Sequence, residues 1–272
     1  MRRALVLALA VPALFVLVGP PMASADHMLF GKYYWEKSGS GDRRIHVYLN
    51  DVYWKSAFID AMEEWGGRTE FKFDTGSSSD CKTSSKYAHV KICDADYGNT
   101  GWGAIADVRV DPGNNHILGG RVRLNTYYRW DYHTARSAWC QEFGHILGLD
   151  HRGTSGTTGD DPDSCMSYHP SSPERPDGHD VSQLACQTVT SNEPKPRANC
   201  TEPSGDGGAC ILGIICFNTA HTDAMVGVDE DGGLVLTFVA PPPPPPSESR
   251  DVAAMPRSAT TTARHLPHRV LW

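Results

Sequence analysis

Residues 141–151 read QEFGHILGLDH and bring two imidazoles, a carboxylate and a side-chain amide into one short stretch. Imidazole is a common transition-metal ligand, and a carboxylate beside a metal-activated water can accept its proton. Positions four apart lie about 40° from one another around a helix, so Gln141 and His145 converge on one point and Glu142 flanks it. Trp139, Phe143, Ile146 and Leu147 fall on the other side at i, i+4, i+7, i+8 spacing, the pattern that anchors a helix in a core. Gly148 is a natural stop, because glycine enters the left-handed conformation without a Cβ penalty, and the turn can bring His151 round as another ligand. Such a set suits metal-assisted hydrolysis with Glu142 as general base. Gln141 is its weak member, since amide oxygens suit calcium or magnesium better than zinc. An amide is neutral like histidine, so it threatens metal affinity more than the chemistry.

The elements that must hold this helix read clearly on its N-terminal side. Ile45, Val47 and Leu49 alternate with polar residues as a half-buried strand, and Asp51 is a candidate cap for a helix whose Trp54, Phe58, Ala61 and Trp65 share a face and which Gly66 and Gly67 end. Strands at Phe71–Phe73 and Tyr87–Cys93 follow, separated by a Ser-rich loop. Next come the segment Gly101–Val110, a turn at AspProGlyAsnAsn and a strand at Arg121–Asn125. A third helix is expected over Asp180–Thr188, where the globular domain should close. Beyond Glu193 the composition shifts to Pro, Gly and Asp, with two apolar islands, Ile211–Phe217 and Leu234–Val239, that read as an appended hairpin. Pro241–Pro246 form a stiff polyproline stretch, and the remainder to Trp272 reads as disordered.

QExxHxxGxxH resembles the HExxHxxGxxH of the metzincin metallopeptidases, with Gln141 where the first histidine stands. Downstream, SerCysMetSerTyr at 164–168 resembles the metzincin Met-turn. The strand, helix, strand, strand order resembles the N-terminal half of the matrixins, a metzincin branch. The resemblance implies an α+β fold: a metzincin-like twisted mixed β-sheet with an active-site helix, a second backing helix and a C-terminal helix, and a zinc cleft between upper and lower subdomains. It implies one catalytic zinc held by His145, His151 and Gln141, with Glu142 as general base. Tyr168 would donate a hydrogen bond to the oxyanion, and Met166 would be an apolar floor beneath the metal. Extended polypeptide substrate would lie along Gly103, Ala104, Ile105 and Ala106 as strand addition to a sheet edge; an interior strand is the competing reading of that segment. Cys140 and Cys165 are expected to pair, because the segments they precede must meet at the zinc. Cys81 with Cys93 would close a local loop, leaving Cys186, Cys200, Cys210 and Cys216 to tie the C-terminal region. No cysteine of the kind that plugs the zinc of latent matrixins is found, so the expectation is an enzyme without that activation step.

Export is the expected fate. Arg2 and Arg3, an apolar run from Ala4 to Val18 and AlaSerAla before Asp26 form a secretory signal that is too short for a membrane span. Eight cysteines beyond it suit an oxidising, extracellular compartment. The expected organisation is a signal peptide at 1–25, a catalytic domain at 26–190, a Cys-containing extension at 191–240 and a Pro-rich tail at 241–272. With 32 acidic against 25 basic side chains, a formal charge of −7, the chain repels polyanions, so neither nucleic acid nor membrane is an expected partner. Asp107, Asp111, Asn114 and Asn115 could supply oxygens to a calcium ion, although turn chemistry explains AspProGlyAsnAsn without one. A structural zinc at His116 is a weaker option still. The leading function is a secreted zinc endopeptidase. The alternative is a catalytically silent pseudo-metallopeptidase that serves as a secreted protein-binding domain.

Overall fold

A computed structural model of the chain describes residues 33–36, 43–50, 52–82, 87–151, 163–167, 173–186, 224–229 and 231–244, and the backbone of 209–211 and 215–217. Residues 1–32, where the signal segment is expected, Asp51, Tyr168, the rest of the loop after His151, Cys200 and the residues beyond 244 lie outside these residues, as do the side chains of Cys186, Cys210 and Cys216.

The fold is α+β, with three helices and a mixed seven-stranded sheet. Strands β1 (Arg43–Asn50), β2 (Phe71–Ser77), β3 (His89–Ala95), β4 (Ala104–Asp111) and β5 (His116–Asn125) come from the N-terminal half. Two short strands, β6 (Ala209–Ile211) and β7 (Ile215–Phe217), pair only with each other, and β8 (Met225–Val228) and β9 (Leu234–Ala240) follow. Sheet order is β2-β1-β3-β5-β4-β9-β8. The first three pairings are parallel, and those of β4 with β5, β4 with β9 and β8 with β9 are antiparallel. Among the described residues no helix is long and apolar enough to cross a membrane.

Two helices, α1 (Lys55–Arg68) and α2 (Tyr132–Leu147), share one aromatic core. Phe58 meets Trp139 and Phe143 edge to face, each at 5.5 Å, and the Trp65 indole donates to the Cys140 carbonyl at 3.1 Å. These contacts bring the expected faces of the two helices together. The Asp94 carboxylate on β3 accepts from the Tyr53 and Trp54 amides, both at 2.9 Å, and so ties the entry of α1 to the sheet. Gly66 and Gly67 do not end α1. The helix runs through both to Arg68, with Trp65 buried in the core and Thr69 closing the last turn on the Trp65 carbonyl. Asp131 and Thr134 form a reciprocal capping box at the start of α2, and Gly148, at φ 109°, ends it as expected. The third helix, α3 (Gly178–Cys186), begins before Asp180 because the Asp177 carboxylate accepts from the His179 and Asp180 amides.

Two disulfides close among the described residues, Cys81–Cys93 and Cys140–Cys165. Three expectations fail. The islands at 211–217 and 234–239 do not form a hairpin together; β9 joins the main sheet instead, so the sheet does not close with α3. The edge expected along Gly103–Ala106 is no edge, because β9 covers β4 from Ala104 to Arg109. The calcium site also fails. Asp107 is spent on Arg121 at 2.6 Å and Arg123 at 3.0 Å, while Asp111 accepts from Gly113 and Asn114 inside its own turn.

Candidate active site

The C-terminal half of α2 is buried on every side, from Trp139 to Leu147, so its polar residues must find partners inside the protein. His145 is fully buried, and its Nδ1 lies 2.8 Å from the Leu149 carbonyl just past the helix end. A carbonyl can only accept, so Nδ1 carries the proton and Nε2 presents its lone pair. The left-handed turn at Gly148 swings the chain back and brings His151 Nε2 to 3.1 Å from His145 Nε2. Two nitrogens at zinc distances of about 2.0–2.1 Å in a tetrahedral shell stand roughly 3.3–3.4 Å apart. The two nitrogens are thus spaced close to what that ion needs, and the rings, with centroids 4.3 Å apart, would also turn to aim both lone pairs at it. Asp150 supports the turn by accepting the His151 amide at 2.7 Å.

Gln141 lies on the same helix face, and its amide nitrogen donates to the Ser167 carbonyl at 3.0 Å. Its carbonyl oxygen is the atom left to offer a cation. Among the described residues no group of three or more His, Cys, Asp and Glu side chains gathers to hold a metal. The imidazoles thus suit zinc by type and convergence, and the third donor is an amide.

Glu142 is fully buried, and no side chain pairs with its carboxylate oxygens, which face the Ala106 amide. Burial, reinforced by the nearby Asp107 carboxylate, pushes its carboxyl well above the ordinary range, and the Ala106 amide opposes this only in part. A buried carboxyl without a cation beside it favours its protonated form, and a nearby cation would reverse that preference.

Met166 lies fully buried directly beneath α2. A Cβ at Gly144 would run into the Met166 thioether and stand 2.9 Å from the Trp65 ring, so the glycine lets the helix and the 164–167 turn approach closely. Ser164 Oγ accepts the Met166 amide at 2.9 Å and donates to Asp180 on α3 at 2.6 Å, which fixes the turn to that helix. The Cys140–Cys165 bridge fastens its other side.

Gln141, Glu142, His145, His151 and Met166 are thus gathered, and Tyr168 lies outside the described residues. The sequence reading missed two participants. Gly144 had a signal, a glycine inside an otherwise continuous helix, where it costs about 1 kcal/mol relative to alanine. Phe238 had none. It is fully buried, stacked on His145 with ring centroids 4.1 Å apart and planes 10° apart, and set edgewise to His151 at 6.0 Å.

No family model and no curated protein matches the chain. Solved structures of myroilysin are similar to it at low identity. One is 12% identical over 58% of this chain and 96% of that chain, with a TM-score of 0.36. Another is 13% identical over 65% and 97%, with a TM-score of 0.34. At such values the chemistry must be argued from the residues themselves.

Proposed function

We propose that this chain is a secreted zinc endopeptidase of metzincin-like, matrixin-like type that hydrolyses extended polypeptide. The observation that carries the reading is the approach of His145 Nε2 on α2 and His151 Nε2 just past its end, 3.1 Å apart, beside a helix that also bears the fully buried Glu142 carboxyl. In this reading His145 and His151 hold the metal, and Gln141 offers its amide oxygen as a third donor. Bound zinc supplies Lewis-acid activation of water and of the scissile carbonyl. Glu142 accepts a proton from the attacking water and delivers it to the leaving amine. The Leu149 carbonyl keeps the proton of His145 on Nδ1, so the other nitrogen stays available as a donor atom. Met166 is an apolar floor, and Tyr168 donates to the oxyanion. Residues 1–25 direct export and are removed.

A second reading, a silent relative that binds proteins, draws support from Gln141. Its bond to Ser167 joins α2 to the methionine turn and would serve a fold without a metal equally well. Metal analysis separates the two. Full-length protein equilibrated with micromolar zinc should retain about one ion per chain, and His145→Ala should lose it. Zinc-free wild-type protein would replace the hydrolase with the binding domain.

A further inference from the structure

Strand β9 runs antiparallel to β4 along the stretch where an extended substrate would add, from Ala104 opposite Ala240 to Arg109 opposite Val235. We infer that the β8–β9 hairpin is an autoinhibitory strap. It fills the substrate's place on β4 and seats Phe238 on His145, so the site opens only when the strap undocks. The occupant also indicates the substrate class: an extended segment with a large apolar side chain opposite Ala106, where Phe238 now sits.

The docking is specific. The Gly103 amide donates to the Ala240 carbonyl at 2.9 Å, and a Cβ on Gly103 would stand 2.5 Å from the Pro241 carbonyl oxygen, so the strap's exit requires this glycine. The Thr237 hydroxyl donates to Asp107 at 2.7 Å, and Arg109 pairs with Asp229 at 3.0 Å. Prolines from 241 onward carry no amide hydrogen, and the strand ends there. With Phe238 in place, Glu142 and His145 are wholly inaccessible and His151 is 2% exposed. A peptide cannot reach them.

The hairpin is held by β9, whose Leu236, Phe238 and Ala240 pack into the core. Its outer strand leaves Met225 59% and Val228 69% exposed. The aromatic cluster that joins α1 to α2, Phe58, Trp65, Trp139 and Phe143, takes no residue from it. Loss of the strap withdraws Leu236, Phe238 and Ala240 from the core and uncovers the site, while the aromatic contacts between α1 and α2 stay in place.

The regulatory meaning rests on the hydrolase reading above, whereas the docking does not, and the test keeps them apart. Full-length wild-type, Phe238→Ala and Thr237→Val proteins are titrated with a fluorescent peptide of residues 233–242, and amide exchange is followed by mass spectrometry. Phe238→Ala should bind the peptide about tenfold or more tighter than wild type, roughly 1.4 kcal/mol per tenfold. Thr237→Val should shift in the same direction. Exchange over 104–109 should accelerate while that of 43–50 and 89–95 stays slow. Equal peptide affinity in all three proteins overturns the strap, as does exchange that rises in β1 and β3 together with β4. Peptide binding gained without zinc uptake or hydrolysis sinks the hydrolase reading and leaves the strap standing. Zinc uptake with unchanged peptide affinity does the reverse.

Discussion

Phe238 and His145 lie face to face, 4.1 Å between ring centroids, and both are completely buried. One belongs to the helix that carries the candidate ligands and the other to a strand near the C-terminal prolines. The contact closes a polar cluster with an apolar ring, so metal binding, proton transfer and access must be probed separately.

Proton transfer is tested at Glu142. In Glu142→Gln the imidazoles are untouched, so zinc content should stay at the wild-type level while peptide hydrolysis drops at least ~100-fold, the lower range for losing a general base. The unfolding midpoint should hold, because the amide keeps the shape of a buried carboxyl whose ionisation burial already disfavours. Unchanged turnover would remove Glu142 from the mechanism.

Gln141→His exchanges the amide for the ligand type zinc prefers. Its cost is the Ser167 bond, about 1 kcal/mol. Zinc competition with a chromogenic chelator should show affinity raised about tenfold or more. Should affinity and hydrolysis both fall, glutamine is an adapted ligand and the histidine does not fit the position.

Gly144→Ala sets two effects against each other. Helix propensity favours alanine by about 1 kcal/mol, but the new Cβ would run into the Met166 thioether and stand 2.9 Å from the Trp65 ring. Overpacking of this kind costs about 1–3 kcal/mol. Net destabilisation in urea unfolding is expected, and a gain in stability would show that the turn does not pack this tightly.

Asp131 gives a pH dependence with a definite sign. Partial burial alone would raise its carboxyl, but the Thr134 amide and hydroxyl, helped by nearby His133, hold it below the usual range. A depressed folded-state value means the contribution is full above the unfolded-state value, near 3.9, and is lost as pH falls through the folded one. Asp131→Ala should cost about 1 kcal/mol at neutral pH. The gap from wild type should narrow below about pH 4 in melts at matched ionic strength. A gap that widens on acidification would contradict the capping role.

How much of this was legible in the sequence follows from the range of each interaction. The spacing of Gln141, Glu142, His145 and His151, the stop at Gly148 and the core face of Trp139 and Phe143 are local consequences of helical period and backbone sterics, and a linear sequence carries them in full. The alternation in β1 and the pairing of Cys140 with Cys165 were readable for related reasons: one is a period, and the other follows from two motifs that must meet. Failures occurred where a distant residue won. α1 runs through Gly66 and Gly67 to Arg68, with Trp65 buried in the core, and β9 pairs with β4 instead of with 211–217.

The sequence alone therefore determined which side chains could do chemistry and which face of α2 presents them. Tertiary structure alone decided whether anything can reach them. Strand pairing is specified by backbone groups that every residue shares, so nothing in the composition of 234–240 says that it will lie on β4 rather than beside 211–217. Only the assembled sheet, with Gly103 admitting the chain at Pro241 and Asp107 accepting Thr237, selects that register and sets Phe238 over His145.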